Sequence, residues 1–118
     1  MNLHRGEVVL VDFPFSSGTQ SKLRPALVVQ NDKDNARLAT TVVVQITGTS
    51  HRSNESTQVL IEVGTPEGRL SGLAFDSALN CVNIVTVERA RLRRRLGKFS
   101  VGLMQKANEA LKTALGLQ

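Results

Sequence analysis

Several residue types that would define whole classes of protein are scarce in this sequence. Cys81 is the one cysteine, so no disulfide can form within the chain, and such scarcity is typical of a reducing cytoplasm. No apolar run approaches the roughly 18 residues that a membrane span requires, and none of signal-peptide length precedes the first predicted strand. Histidine, cysteine and carboxylate residues are not clustered at ligand spacing, so we predict no metal site and no cofactor. We expect a cytoplasmic protein.

Acidic residues are also scarce relative to basic ones. The sequence contains ten Asp and Glu residues and fifteen Lys and Arg residues, which gives a net charge of +5. A basic balance in a small protein favours an anionic partner, either a nucleic acid or an acidic protein segment. Residues 89–98 contain six of these basic side chains, a density that fits a nucleic-acid backbone, an acidic protein tail or simply a solvated face. At 118 residues the chain has the length of a single domain, residues 1–118.

The most informative stretch is LRPALVVQND, residues 23–32. Pro25 disfavours the helical conformation for the residue before it, so Arg24 is expected to be extended at the entrance of a strand. Residues 26–29 are apolar and predict a short buried strand, and residues 30–32 predict its exit into a turn. An arginine held in this way beside a polar loop can clamp a phosphate, but these residues also fit a surface arginine that pairs with a carboxylate.

The remaining pattern predicts short strands joined by polar loops, with a helix at the C-terminal end. Turns recur about every 8 to 12 residues, which favours a small β-barrel with α decoration. In the strand at residues 40–47, side-chain alternation places Gln45 and Thr47 on the more polar face. Ser100 is the expected N-cap of the last helix, and Gly116 its expected stop. The predicted strands are 6–13, 26–29, 40–47, 57–63, 73–76, 78–81 and 83–87; the loops include 15–22, 33–39, 48–56 and 64–70; the predicted helical segments are 88–95 and 101–115.

Five blocks of the sequence, in this order, resemble the MazF/PemK family of toxins: RGEVVLVDFPF, RPALVVQND, TTVVVQIT, GLAFDS and TVERARLRRRLGKFS. The resemblance extends from Arg5 to Leu117, and the first two blocks are specific when they occur together. It implies an SH3-like barrel of the PemK/MazF/CcdB type that forms a homodimer. It also implies a metal-independent endoribonuclease toxin, an mRNA interferase that cuts single-stranded RNA and inhibits growth. The implied partner is a co-encoded antitoxin whose acidic, disordered tail lies along the toxin dimer.

By this resemblance the arginine of the RP pair is Arg24, and the catalytic threonine of the family is Thr47. Attack of a neighbouring 2′-hydroxyl places extra charge on a five-coordinate phosphate, and a guanidinium can bind two of its oxygens. Arginine stays charged near neutrality, so it serves as a stabiliser rather than as a base. The threonine hydroxyl can donate to the same phosphate or position the leaving oxygen. Without the resemblance, Thr47 fits a β-branched residue at the end of a strand.

One segment departs from the family pattern. Many members carry D/E-Q-I/P-R-T before the last strand, whereas this sequence has Val82 at the carboxylate position, Val85 at the arginine position and Asn83 for the glutamine. Asp76 is expected to cap a loop rather than to replace the missing base. The departure motivates a second hypothesis, a catalytically weak or inactive binding module of the same fold for RNA or an antitoxin. A third hypothesis is a gyrase-inhibiting toxin of related fold.

Further side chains near Arg24 and Thr47 are candidates for contact with RNA. Phenylalanine can stack on unpaired bases, and Phe15 suits this role better than Phe13, whose apolar strand favours the core. Hydroxyl, amide and charged side chains can bind phosphates or base edges, and histidine can also transfer protons. The predicted RNA-binding residues are Phe15, Ser16, Ser17, Lys22, Gln45, His51 and Asn83; His4 is expected to be solvated.

Overall fold

The computed structural model describes residues 2–14 and 21–118 of the chain. Strands dominate this part of the chain and a long helix ends it, which confirms the predicted mainly β fold with a C-terminal helix. The strands are β1 (Glu7–Pro14), β2 (Ser21–Val28), β3 (Thr40–Gly48), β4 (Gln58–Ile61), β5 (Ser77–Glu88) and β6 (Leu92–Lys98). The helices are α1 (Asp32–Asn35), α2 (Pro66–Ser71) and α3 (Val101–Leu115), with 3-10 turns at His51–Asn54 and Arg89–Arg91.

The strands form one antiparallel sheet in the order β4-β5-β3-β2-β1-β6. This order is open, with β4 and β6 at the two edges, so the sheet approaches a barrel without closing into one. β5 is the longest strand at 12 residues, and β4 pairs only with its first part, from Ser77 to Asn80. The later part of β5 therefore has β3 as its registered neighbour among the described residues.

Both faces of the sheet are buried, because side chains alternate between two hydrophobic cores along each central strand. The helix-side core packs against α3 through Leu103, Ala107 and Ala110. The opposite face of the sheet carries a second core, which we call the far-side core. The alternation is visible in β1, where Val8 belongs to the helix-side core and the next residue, Val9, belongs to the far-side core. This double burial explains the nearly continuous apolar sequence of β1 and of the last residues of β2. The far-side core consists of Leu3, Val9, Val11, Phe13, Ala26, Val28, Val43, Val87 and Leu92.

The C-terminal helix α3 has the bounds that the sequence predicts, residues 101–115. Its N-cap is Ser100, whose hydroxyl oxygen accepts a hydrogen bond from the Leu103 backbone N–H at 3.1 Å. The same hydroxyl donates to Glu67 Oε2 at 3.1 Å, which ties the start of α3 to α2. Gly116 ends the helix in the left-handed conformation, with φ 68°. None of the helices in the described residues is long and apolar enough to cross a membrane.

The predicted position of Pro25 in front of its strand is wrong. β2 begins earlier, at Ser21, and Pro25 lies inside it opposite Leu10 of β1. Proline has no backbone N–H, so within a sheet it is tolerated where no neighbouring strand needs a hydrogen bond from that position. The β2–β3 ladder provides this, because its registered pairs are confined to residues 26–28 of β2. Arg24 is extended as expected, but it lies within the strand rather than at its entrance.

Several other predicted segments also differ from the structure. The loop predicted at 64–70 contains α2, which Thr65 caps by accepting from the Gly68 backbone N–H at 3.0 Å. Residues 73–76 are not a strand, and the two strands predicted within residues 78–87 are one continuous strand, β5. The helical turn predicted at 88–95 is limited to Arg89–Arg91, and β6 follows it at once. In β5 and β6, pairing with neighbouring strands overrides the local pattern.

A short polar network closes the connection between β2 and β3. Asn35 is buried, and its carbonyl Oδ1 accepts from Gln30 Nε2 at 3.0 Å and from Thr41 Oγ1 at 2.8 Å. Its Nδ2 donates to the Gln30 carbonyl at 2.9 Å, so every polar atom of this buried side chain is engaged. The network fixes the segment that follows the RPALVV block.

Asp32 gives the stability of this network a pH dependence. The Arg5 backbone N–H donates to Asp32 Oδ1 at 2.6 Å and holds the pKa of that carboxyl below its usual range; burial opposes this and the Asn35 amide adds to it. The folded-state pKa therefore lies below the unfolded-state value of about 3.9. Ionised Asp32 stabilises the fold above about pH 4, and the contribution is lost as the pH falls through the folded-state pKa.

We expect Asp32→Asn to lower the Tm by a few degrees at neutral pH and to have little effect near pH 2. The free-energy difference at neutral pH is at most about 1 kcal/mol, the scale of one exposed hydrogen bond. Thermal unfolding followed by circular dichroism at both pH values measures it. Glu109→Gln, on an exposed part of α3, is the control. A Tm difference for Asp32→Asn that is equal at both pH values would contradict this interpretation.

Candidate functional site

Arg24 lies at the rim of the far-side core. It is opposite Val11 in the β1–β2 ladder, and side-chain alternation places it on the same face as Ala26, which is buried there. Phe13 and its partner Lys22 lie on this face as well. The Arg24 side chain is half-buried, and it makes no hydrogen bond or ion pair with residues 2–14 or 21–118. Its guanidinium therefore remains available to a ligand.

The Arg24 side chain lines an open cleft of about 480 Å³. Strands β1, β2, β3 and β5 contribute to this cleft, together with the 3-10 turn after β5. Arg91, from that turn, brings a second guanidinium, and its Nη1 donates to the Asp12 carbonyl at 3.3 Å. We call this space the Arg24 cleft. Its lining residues are Phe13, Arg24, Gln45, Val85, Thr86, Val87, Glu88 and Arg91.

Thr47 does not line the cleft but lies on the face from which the cleft opens. The β2–β3 ladder ends at the pair Ala26 and Gln45, and both Arg24 and Thr47 lie two residues beyond that pair. Their side chains therefore point to the face that carries the far-side core. Thr47 is half-buried and is opposite Ala78 of β5. The structure thus brings the two predicted catalytic residues to neighbouring strands on one face.

Two of the predicted RNA-binding residues contact each other. Asn83 Nδ2 donates to Gln45 Oε1 at 3.1 Å, across the β3–β5 pair. Gln45 also lines the Arg24 cleft, so this amide pair places hydrogen-bonding groups beside the guanidinium. Amide side chains of this kind can read the edges of unstacked bases.

The other predicted RNA-binding residues are less closely gathered. Lys22 is exposed on the face of Arg24, whereas His51 is exposed in the 3-10 turn after β3 and does not line the cleft. His4 is exposed, as expected. Phe13 is 7% exposed and belongs to the far-side core, although it also lines the cleft. Three predicted residues, Phe15, Ser16 and Ser17, lie outside the described residues.

Three lining residues were not singled out by the sequence analysis: Thr86, Glu88 and Arg91. Thr86 and Glu88 are exposed residues of β5, and nothing in the local pattern separates them from ordinary strand positions. Arg91 lies in the basic stretch, which the sequence could not resolve into individual roles. Val85, at the position where the family pattern has an arginine, also lines the cleft. The second guanidinium of the cleft therefore comes from residue 91 instead.

Most of the basic stretch is engaged within the chain. Arg93 Nη2 pairs with Asp12 Oδ2 at 2.7 Å, and Arg95 pairs with Glu7. Arg89 donates to the Asn35 carbonyl. These bonds tie the edge strand β6 and the preceding turn to the rest of the fold, and they also protect an exposed sheet edge with charge. Most basic side chains of this stretch therefore stabilise the fold, and Arg91 is the one that lines the Arg24 cleft.

Two other residues with reactive side chains have structural roles. Cys81 is buried, and burial raises the pKa of its thiol to about 11, which leaves little thiolate for nucleophilic chemistry. Asp76 Oδ1 accepts from the Val63 backbone N–H at 2.9 Å, so it caps a loop as expected. Among the described residues, no three His, Cys, Asp or Glu side chains are grouped as metal ligands would be. The chemistry of the Arg24 cleft is therefore that of guanidinium and amide groups.

The open antiparallel sheet, its C-terminal helix and a cleft with two guanidinium groups define a small β protein suited to binding an anion such as a phosphate. The family described as "PemK-like, MazF-like toxin of type II toxin-antitoxin system" matches residues 4–115. The chain belongs to this family.

Individual relatives agree with this assignment. The chain is 32% identical over 116 residues to Endoribonuclease MazF of Staphylococcus saprophyticus, with 98% of this chain and 92% of that protein covered. A mycobacterial endoribonuclease solved in complex with its cognate antitoxin is 30% identical, with a TM-score of 0.79 and 98% and 97% of the two chains covered. A MazE–MazF structure from Deinococcus radiodurans covers 100% of both chains with a TM-score of 0.78, at 17% identity, and shows the shared fold.

Proposed function

We propose that this protein is a MazF-type endoribonuclease toxin that cleaves single-stranded RNA in the Arg24 cleft, with residues 1–118 acting as one toxin domain in the cytoplasm. The observation that carries the proposal is an unpaired guanidinium in an open cleft, in a chain of the MazF-like family. An unpaired guanidinium in an open cleft is free to bind an anion, and its two parallel N–H donors suit the oxygens of a phosphate. The net charge of +5 supports an RNA substrate.

The residues of the cleft fit a reaction in which the 2′-hydroxyl attacks the adjacent phosphate. Arg24 binds the non-bridging oxygens, whose charge increases in the five-coordinate transition state. Arg91 adds positive charge to the same cleft. Thr47 donates its hydroxyl to the phosphate or to the leaving oxygen, and the Gln45–Asn83 amide pair contacts base edges. The reaction needs no bound metal, because the two guanidinium groups provide the electrostatic stabilisation.

The partners proposed for this chain are a second copy of itself and an antitoxin with an acidic, disordered tail. A relative that is 30% identical was solved with its cognate antitoxin, which supports a protein partner of this kind. An acidic tail complements a protein with fifteen basic and ten acidic residues. Binding of such a tail over the Arg24 cleft would compete with RNA for the same guanidinium groups.

Cleavage of single-stranded RNA in the presence of EDTA tests the proposed function. We expect the purified protein to cut a long unstructured RNA at a short recurrent sequence, with equal rates in EDTA and in Mg²⁺. Mapping the 5′ ends of the products gives the cut sequence. A strict requirement for divalent metal, or RNA that stays intact at long times, would overturn the proposal.

A second candidate function is a binding module of the same fold that holds RNA or an antitoxin without cutting. Val82 favours it, because this residue is 55% exposed at the position where the family pattern has a carboxylate. Tight binding of labelled RNA that remains intact would support the binding module. Inhibition of DNA supercoiling without RNA cleavage would instead support a gyrase-directed toxin.

A further inference from the structure

The pairing of β5 with β3 is irregular in the segment that adjoins the Arg24 cleft. On β3 the paired residues Val44 and Ile46 are separated by one residue, whereas their partners on β5, Ile84 and Leu79, are separated by four. β5 therefore contains a β-bulge of three additional residues within residues 80–83, which we call the β5 bulge. Bulges bend a strand and redirect its side chains, and they are common next to active sites.

The β5 bulge turns the side chain of Asn83 toward the face that carries Arg24. Cys81 belongs to the helix-side core, and strict alternation would place Asn83 on that same side. After the bulge, Val85 packs against the far-side core, so Asn83, two residues before it, lies on the far-side face. The hydrogen bond from Asn83 Nδ2 to Gln45 Oε1 at 3.1 Å agrees with this, because Gln45 lines the Arg24 cleft. The bulge thus brings an amide to the cleft that a regular strand would direct away from it.

Asn80 holds the β5 bulge in this shape. Its Oδ1 accepts from the Val82 backbone N–H at 3.3 Å and from Gln58 Nε2 of β4 at 3.0 Å. The backbone N–H of the residue between them, Cys81, donates to the Thr57 carbonyl at 3.0 Å. These bonds engage polar groups that have no ladder partner on β3, so the bulge has a defined conformation.

The Gln45–Asn83 amide pair has hydrogen-bonding groups to spare. Their mutual bond uses one donor and one acceptor, and neither side chain has another hydrogen-bond partner among the described residues. An N–H of Gln45 and the carbonyl oxygen of Asn83 therefore remain available, and the pair offers the same set if both amide groups are turned over. Unpaired RNA bases have edges on which a donor lies beside an acceptor, and contacts with such edges distinguish one base from another.

The other polar groups of the cleft suit the RNA backbone rather than a base. Arg24 and Arg91 carry guanidinium groups, which match phosphate oxygens, and phosphate contacts carry no sequence information. Val82 and Val85 stand where the family pattern has a carboxylate and an arginine, and their side chains form no hydrogen bonds. Base selection from this part of β5 therefore depends on its amide.

We propose that the Gln45–Asn83 amide pair selects one base of the cut sequence and that Asn80 is a positioning residue, which places the pair through the β5 bulge; this rests on the proposed function. The base beside the phosphate in the Arg24 cleft donates to one amide oxygen and accepts from one amide N–H. A base whose edge lacks this combination leaves the amide groups unpaired and is rejected. The guanidinium groups hold the phosphate whatever the base.

Mapping cut sites in a pool of single-stranded RNAs of random sequence tests the amide pair. We expect one restricted position in the wild-type cut sequence to lose its preference by about 10-fold or more in Asn83→Ala, the scale of paired hydrogen bonds to a base edge. Gln45→Ala should relax the same position, and the other positions should keep their preferences. Gln105→Ala, which removes an exposed amide of α3, is the matched control and should keep the wild-type cut sequence.

Two substitutions of Asn80 test its positioning role. Asn80→Ala removes the oxygen that accepts from Val82 and Gln58, so it should relax the same position as Asn83→Ala. Asn80→Asp retains an oxygen that can accept both bonds, so it should restore most of the preference. A merely structural role would lower the Tm and slow cleavage of all sequences alike, without changing the cut sequence.

The outcomes separate this inference from the proposed function. Wild-type protein that leaves every RNA intact overturns both. Cleavage at the same sequence by wild type, Asn83→Ala and Gln45→Ala, or an equal slowing at every sequence, overturns base selection by the pair alone. Relaxation in Asn83→Ala but not in Asn80→Ala overturns the role of Asn80. Should Asn80→Ala fail to fold, Gln58→Ala, which releases the Asn80 side chain from β4, takes its place.

Discussion

Replacing Arg24 with alanine is expected to slow RNA cleavage by about two orders of magnitude, the scale of removing one preorganised charged donor. The loss should appear mainly in kcat, because the negative charge on the phosphate increases as the fifth bond forms. Single-turnover cleavage of an RNA that contains the mapped cut sequence measures it. The Tm should change little, since the guanidinium makes no hydrogen bond or ion pair with the described residues.

Two companion variants refine the Arg24 measurement. Arg24→Lys keeps the charge but loses the planar pair of donors, so it should recover only part of the rate. Arg37→Ala removes a guanidinium that is 62% exposed and paired with Asp34 on α1, and it should cleave as wild type. A rate for Arg24→Ala within a few-fold of wild type would show that the phosphate is held elsewhere.

The position of the Arg24 cleft could be inferred from the sequence because its central residues are marked locally. Pro25 forces the residue before it into an extended conformation, and the polar face of β3 is visible in the alternation that ends at Gln45 and Thr47. Both features depend only on residues that are adjacent in the sequence, so they can be predicted without knowledge of the tertiary structure. The fold class and the bounds of α3 were predictable for the same reason.

Arg91 was not predictable as a residue of the cleft, because its position there depends on pairing between distant segments. The sequence suggested two short strands in residues 78–87, but pairing with β3 extends β5 unbroken from Ser77 to Glu88. This continuous strand leads into the 3-10 turn that brings Arg91 to the cleft containing Arg24. The arginines of β6 were ambiguous for a similar reason, since their partners Asp12 and Glu7 lie more than 80 residues earlier.

A second position whose importance lies in a tertiary contact is Gly72, where we expect substitution by alanine to destabilise the fold by roughly 2 to 5 kcal/mol. Gly72 ends α2 with φ 75°, and a Cβ there would lie 1.9 Å from the Leu96 carbonyl oxygen of β6. The left-handed backbone costs a non-glycine residue about 1 to 2 kcal/mol. The steric clash adds about 1 to 3 kcal/mol, because the contacted atom is backbone and cannot rotate away.

Gly116→Ala separates these two contributions, since Gly116 also ends a helix with a positive φ, 68°, but has nothing within 4 Å of the added Cβ. Gly116→Ala should therefore lower the free energy of unfolding only by the cost of the left-handed backbone conformation, about 1 to 2 kcal/mol. Gly64→Ala, which is also open and has no positive φ, should have little effect. Urea unfolding at constant m-value measures all three. Equal losses for Gly72→Ala and Gly116→Ala would show that α2 moves away from β6 without cost. A larger loss for Gly72→Ala would instead show that their close approach is a fixed part of the fold.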